Sequence, residues 1–275
     1  MNDVMTTHSP SENKDAVLYS LDQRGVATVT LNRPQVHNAF DDQLIAQLTD
    51  IFKRVGQDDN VRVMILAANG KSFCAGADLN WMKRMTDYSY EQNFADATAL
   101  ANMFLELNKL PKPTIARVQG AAFGGAVGLV ACCDMAIGSK LSKFCLSEVK
   151  LGLIPATISP YVIDAIGARL ARRYFTTAEV FSSRRARRIG LLSEAVTEEE
   201  LDTTIEELVE HLLKNAPLAI AAAKQLIFDI RDIPTGEALL SLTSSRIAAT
   251  RVSEEGQEGL NAFLQKRRPN WRGEE

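Results

Sequence analysis

The stretch VQGAAFGGAVGLVACCDMAI, residues 118–137, narrows the folds open to this chain more than any other. It runs from the strand-like segment PTIARVQG into an apolar helix through small residues, with glycines at Gly120, Gly124, Gly125 and Gly128. Every glycine adds to the entropy lost on folding, so a chain that needed only a buried core would place larger side chains here. The same succession of strand, small-residue loop and helix occurs earlier, in MILAANGKSFCAGADL. Where a helix starts, the first N–H groups have no intrahelical acceptor and lie at the positive end of the dipole. Glycine and alanine at that point either let strand and helix pack closely or let an outside oxygen approach those donors. Close packing would explain one such loop. Its recurrence favours two N–H nests that together grip a developing oxyanion.

The rest of the chain supplies a frame for these two units. AVLYSLDQRGVATVTLN alternates apolar and polar residues about Gln23, Arg24 and Gly25, a hairpin pattern. Apolar spacing at Leu44, Ile45, Leu48, Ile51 and Phe52 predicts a helix from Asp41 to Val55. VRVMILAA reads as a buried strand, Asp78 as the cap of a following helix, residues 92–109 as a helix, and DMAIGS and LLSEAV as strands. Strands alternate with helices up to about residue 145 and helices dominate from Tyr161 onward, which is an α/β chain with a helical C-terminal region. No linker rich in Pro, Gly or Ser divides it. The polar N-terminus, residues 1–15 with His8, reads as a disordered tail and not as a secretory signal.

Composition excludes several classes of function. The net charge of −3 offers no basic field for nucleic acid, and no apolar run is long and unbroken enough to span a membrane. Cys74, Cys132, Cys133 and Cys145 have neither disulfide nor zinc spacing, so they read as buried thiols of a cytoplasmic protein. His37 and His211 have no catalytic neighbour in sequence, which leaves Ser/His/Asp and metal chemistry without support. A base is still needed if the nests do chemistry. Glu148 lies inside the apolar run FCLSEVKLGLIP, where burial would raise its pKa into a range useful for proton transfer; a surface cap or ion pair is the competing explanation. No second base stands in reserve, and Asp164 or Tyr161 would come into question only if Glu148 proved dispensable.

In VTLNRPQVHNAF, KSFCAGADLNWMKRM, VQGAAFGGAVGLVACCDMAI, FCLSEVKLGLIPA and EGLNAFLQKRRPNW, in that order and spacing, the chain resembles the enoyl-CoA hydratase/isomerase (crotonase) family from about Ala16 to Trp271. Within the family it is most similar to the branch acting on methylglutaconyl-CoA, a leucine-breakdown intermediate, and on isohexenylglutaconyl-CoA. The resemblance implies a crotonase-type spiral of ββα turns over residues 16–200. A helical C-terminal trimerisation region would follow over 201–275, giving a homotrimer or dimer of trimers. It implies an acyl-CoA thioester substrate and no cofactor or metal, coenzyme A being part of the substrate. The catalytic set carried over is Glu148 with the N–H groups of Ala77 and Gly125. The acyl-CoA contacts carried over are Val36, His37, Ala39, Ala75, Asp78, Leu79 and Gly124. Phe263 and Lys266 match positions that reach a neighbouring subunit's coenzyme A.

One position departs from the family pattern. Well-known hydratases of the family use two glutamates; Glu148 matches the second, whereas the first falls on Gly128. A lone carboxylate suffices for moving a double bond, so the catalytic residues favour a Δ3,Δ2-enoyl-CoA isomerase with Glu148 as proton shuttle. Resemblance over the whole chain favours a hydratase of a glutaconyl-type thioester, and that reading weighs more here. RNA binding, which a relative in animals performs through a lysine-rich helix after its GADL segment, is disfavoured. Here Lys83 and Arg84 are offset by Asp87 and Glu91. A non-catalytic acyl-CoA scaffold would have no use for Glu148 in its apolar setting.

Overall fold

The computed structural model describes residues 15–272, so all but Asp15 of the expected N-terminal tail, His8 included, lies outside the described residues. β1 (Val17–Leu21) and β2 (Val26–Leu31) pair antiparallel with Val17 opposite Leu31, the expected hairpin. Its turn is held by the Asp22 carboxylate, which accepts from the N–H groups of Arg24 and Val26, both at 2.9 Å. β3 (Val63–Ala68), β4 (Thr114–Val118), β6 (Met135–Ser139) and β9 (Glu194–Val196) extend the hairpin in parallel, in the order β1-β2-β3-β4-β6-β9. A second, smaller sheet joins β5 (Ala121–Phe123), β7 (Lys143–Cys145) and β8 (Phe181–Ser182) in the order β5-β7-β8. These strands are two or three residues long, too short for any periodicity to reveal them in sequence.

From β4 onward the chain passes from the large sheet to the small one and returns through a helix. After β4 the chain bends at Gln119 and Gly120 into β5, then enters α4 (Gly125–Cys132) and comes back as β6. The bend admits only glycine: Gly120 has φ +64°, and a Cβ there would lie 1.8 Å from the Lys71 carbonyl oxygen. The preceding turn enters the same layer, because Cys74 bridges Ala122, with Cys74 N–H donating to Ala121 at 3.1 Å and Phe123 N–H to Cys74 at 3.0 Å.

Helices cover both faces of the large sheet. α1 (Asp42–Gln57) is capped by Asp41, which accepts from Leu44 N–H at 2.8 Å, and it buries Leu44, Ile45, Leu48, Ile51, Phe52 and Val55. α2 (Leu79–Met85) and α3 (Tyr90–Asn108) follow β3. On that side Val29, Leu31, Met64, Leu66, Ala116 and Val118 form the core with α1, α3 and α4. The alternate residues Val26, Val63, Ile115 and Ile137 face the other way and are covered by Leu201, Ile205 and Val209 of α8 (Leu201–Leu213). α8 thus packs as part of the spiral layer, on the far side of the division expected at residue 200. Between β7 and β9 lie α5 (Ser159–Ile166), α6 (Ala168–Thr177) and α7 (Ser183–Arg188). The chain continues as α9 (Pro217–Ile230), α10 (Glu237–Val252) and α11 (Glu254–Leu264). Of these, α9 and α10 bury no residue and α11 buries only Ala262.

Candidate active site

The two Gly-rich loops meet at one place. In the first, Phe40 N–H donates to Gly76 O at 2.7 Å and Asp78 N–H to Phe40 O at 2.8 Å, which pins a short parallel bridge between Phe40 and Ala77. The residues on either side of Ala77 are used, while its own N–H has no partner among the described residues. Gly76 holds φ +98°, which turns the chain there. In the second loop Gly124 has φ +55° and donates to Cys145 O at 2.8 Å. Gly125 is the first residue of α4, so its N–H lacks an intrahelical acceptor. A Cβ on Gly124 would lie 3.9 Å from Gly76 Cα and 3.4 Å from Glu148 Oε1. The two loops, each with a donor lacking an internal acceptor, therefore lie side by side next to the Glu148 carboxylate.

Glu148 follows β7 and opens a 3-10 turn over Glu148–Leu151. Burial pushes its carboxyl above the ordinary 4.5, partly offset by its own backbone N–H, and Oε2 is buried with no hydrogen-bond partner. It is the only titratable side chain on the lining of a cavity of about 270 Å³ that also takes in Gly76, Ala77, Gly124 and Gly125. The remaining wall is largely apolar, with Phe40, Trp81, Met85, Leu100, Leu153 and Ile158 contributing. Trp81 is held by its indole N–H, which donates to Asp96 at 3.1 Å. No other base is at hand among the described residues. Tyr161 and Asp164 are not on the lining; burial pushes the Tyr161 hydroxyl up to about 12, and Asp164 is paired with Arg231. Gly128 is walled off as well: a Cβ there would lie 2.2 Å from Ile158 Cγ2.

Of the expected coenzyme A contacts, one group gathers beside this cavity. Ala75 N–H donates to His37 O at 3.0 Å, which ties the two loops together, and Ala75, Ala77 and Leu79 are exposed along that edge. His37 takes φ +53° and its Nδ1 lies 3.1 Å from Ser72 Oγ; Val36 is half-buried next to it. The Ala39 backbone is used internally, its N–H by Val36 O and its carbonyl by Arg33. The Asp78 side chain is used likewise, capping α2 and pairing with Arg33 at 3.2 Å. Phe263 is 83% exposed on α11, and neither it nor Lys266 lines the cavity of its own chain.

Two residues that no sequence signal singled out hold these loops. Arg33 pairs with Asp41 at 2.6 Å as well as with Asp78, and so joins the caps of α1 and α2. Asn38, fully buried with φ +55°, accepts from Arg33 N–H at 2.8 Å and donates to Asn69 O at 2.9 Å and Ser72 O at 3.0 Å. Among the described residues no helix is long and apolar enough to cross a membrane, and no cluster of side chains could hold a metal ion.

Known proteins share this fold. The family model described as enoyl-CoA hydratase/isomerase matches residues 22–274. The crystal structure of an enoyl-CoA hydratase from Shewanella pealeana superposes with a TM-score of 0.90 at 46% identity, covering 93% of this chain and 96% of that one. The (E)-benzylidenesuccinyl-CoA hydratase of Thauera aromatica is 33% identical over 90% of this chain and 96% of its own length. The 1,2-epoxyphenylacetyl-CoA isomerase of Escherichia coli is 31% identical over 91% and 96%. With the ββα spiral and two N–H nests around one glutamate already in view, the chain belongs to the enoyl-CoA hydratase/isomerase (crotonase) family.

Proposed function

We propose that this enzyme is an enoyl-CoA hydratase that adds water across the α,β double bond of a glutaconyl-type thioester, methylglutaconyl-CoA being the model substrate. Glu148, its Oε2 unpartnered, beside two N–H groups with no internal partner supports enolate chemistry, and the observation that carries water addition is the likeness over nine-tenths of the chain to relatives named as hydratases of dicarboxylic acyl-CoAs. The thioester oxygen accepts from Ala77 and Gly125. As the oxygen of water bonds to the β-carbon, the π electrons move onto that thioester oxygen, and Glu148 takes the proton released by the water. The enolate then collapses, and the α-carbon receives the proton from Glu148. One carboxylate thus closes the cycle with no cofactor beyond the substrate's own coenzyme A. Each oxyanion donor contributes about 2.7–4 kcal/mol to the transition state.

The benzylidenesuccinyl-CoA hydratase, whose named substrate carries a second carboxylate, supports a dicarboxylic acyl group. A second reading, double-bond isomerisation with Glu148 moving a proton between two carbons, is favoured by the closed space at Gly128, which leaves no room for a second carboxylate. Incubation with a panel of enoyl-CoAs in heavy water, followed by mass spectrometry, separates the two. Hydration adds the mass of water, and the hydratase reading fails if every turned-over thioester exchanges hydrogen without gaining it. The reading carries with it a cytoplasmic enzyme assembled as trimers or dimers of trimers.

A further inference from the structure

Gly125 and Gly128 lie three residues apart, on one face of α4, and the Phe104 ring reaches both. A Cβ would lie 3.7 Å from its Cζ at Gly125 and 3.0 Å from its Cε1 at Gly128. Ile158 fills the remaining space over Gly128, with Cγ2 and Cβ at 2.2 and 2.8 Å from such a Cβ. Only 1% exposed, Ile158 still forms part of the cavity lining. The notch over Gly128 is therefore packed with hydrocarbon. Besides Glu148 and the Trp81 indole N–H, which Asp96 occupies, the side-chain polar groups on the lining are the hydroxyls of Ser147 and Thr157, which can hydrogen-bond but do not titrate near neutral pH.

We infer that Ile158 is a specificity-determining residue: by filling the space beside Gly128 it keeps a second carboxylate, and water, out of that notch, and so selects thioesters whose acyl group carries a charged acceptor of its own. Water has two hydrogens to donate. Glu148 accepts one and later carries it to the α-carbon; the other is held by an oxygen of the substrate, a second carboxylate being the class that serves. The inference rests on the hydratase reading above and says which substrates that chemistry reaches.

The test compares hydration of glutaconyl-CoA and crotonyl-CoA, which differ by the distal carboxylate, in the wild type, Ile158→Val, Ile158→Ala, Gly128→Glu and the double variant Gly128→Glu/Ile158→Ala. The wild type should prefer glutaconyl-CoA in kcat/KM. Ile158→Ala, by opening the notch to water, should lower that preference by about tenfold, mainly through gain on crotonyl-CoA, the scale of one modest hydrogen bond. Gly128→Glu alone should lose activity on both thioesters, since its Cβ meets Ile158, and the double variant should recover activity on crotonyl-CoA. An unchanged preference in a folded Ile158→Ala overturns the inference, and if that variant does not fold, an unchanged preference in Ile158→Val does so. Equal wild-type rates on the two thioesters overturn it as well and leave the hydratase reading standing. Water addition to neither removes both.

Discussion

Glu148 illustrates how a residue's cost to folding and its use in chemistry share one origin. Its carboxyl sits above the ordinary 4.5 because burial opposes its charge and no side chain compensates. As pH rises from that ordinary value to the raised one, the unfolded chain releases this proton while the folded chain keeps it, so the residue subtracts from stability over that window. Above it the loss is constant; below it both states are protonated and there is none. Glu148→Gln should therefore melt higher than the wild type at about pH 7.5 and together with it below about pH 4. The same substitution should lower kcat by about 10²–10⁴-fold with KM little changed. Thermal scans and kinetics on one preparation test both, and a variant that melts lower at neutral pH would mean that the carboxylate has a partner. Arg33 is the converse case, a cation whose value is structural. Only 19% exposed and bonded to Asp41, Asp78 and the Ala39 carbonyl, it should cost about 3 kcal/mol of stability as Arg33→Met, measured by urea titration. Glu148 could be found in the sequence because a carboxylate among Leu, Val and Ile is anomalous locally. Arg33 and Asn38 could not, because their partners sit across loops that only the folded chain brings together.

The strand–loop–helix unit was the most legible element, since a small-residue loop between two apolar segments leaves few other solutions. β5, β7 and β8 were not legible, because two or three residues cannot display a period of two. They nonetheless set the site: β5 delivers Gly124 and Gly125, β7 delivers Glu148, and their pairing of Phe123 with Cys145 fixes the distance between them. The nest on α4 can be tested without removing the helix. Proline at the first helical position keeps helical φ and lacks the N–H that would have no intrahelical acceptor there in any case. Gly125→Pro should therefore retain its circular dichroism, with the Phe40 ring, 3.1 Å from a Cβ at this position, giving way slightly. Turnover should fall by about 10²–10³-fold, the effect of losing one oxyanion donor. Near-normal turnover in that variant would place the oxyanion elsewhere.

At the scale of the whole molecule the imbalance lies in the last three helices. α9 and α10 bury nothing in the isolated chain, and Leu218, Leu240, Val252, Phe263 and Leu264 are each at least 67% exposed. An apolar surface on that scale marks contact with another chain, and closed symmetry makes further copies of this one the economical partner. Light scattering at micromolar concentration should give a trimer or a multiple of it, and Leu240→Asp with Ile247→Asp should shift the mass toward the monomer. Such a monomer also separates the two halves of the site. Glu148, Ala77 and Gly125 come from one spiral, and their cavity is lined by that same chain. Neither Phe263 on α11 nor Lys266, two residues past its end, lines that cavity, so a contact of theirs with coenzyme A would have to be made to a neighbour's. The dissociated double variant should then bind substrate more weakly, with KM raised and kcat at saturation largely kept, and Phe263→Ala or Lys266→Ala in the intact assembly should do the same to a smaller degree. A monomer with unchanged KM would leave the coenzyme A entirely to the loops around His37 and Ala75, and the C-terminal helices would serve assembly alone.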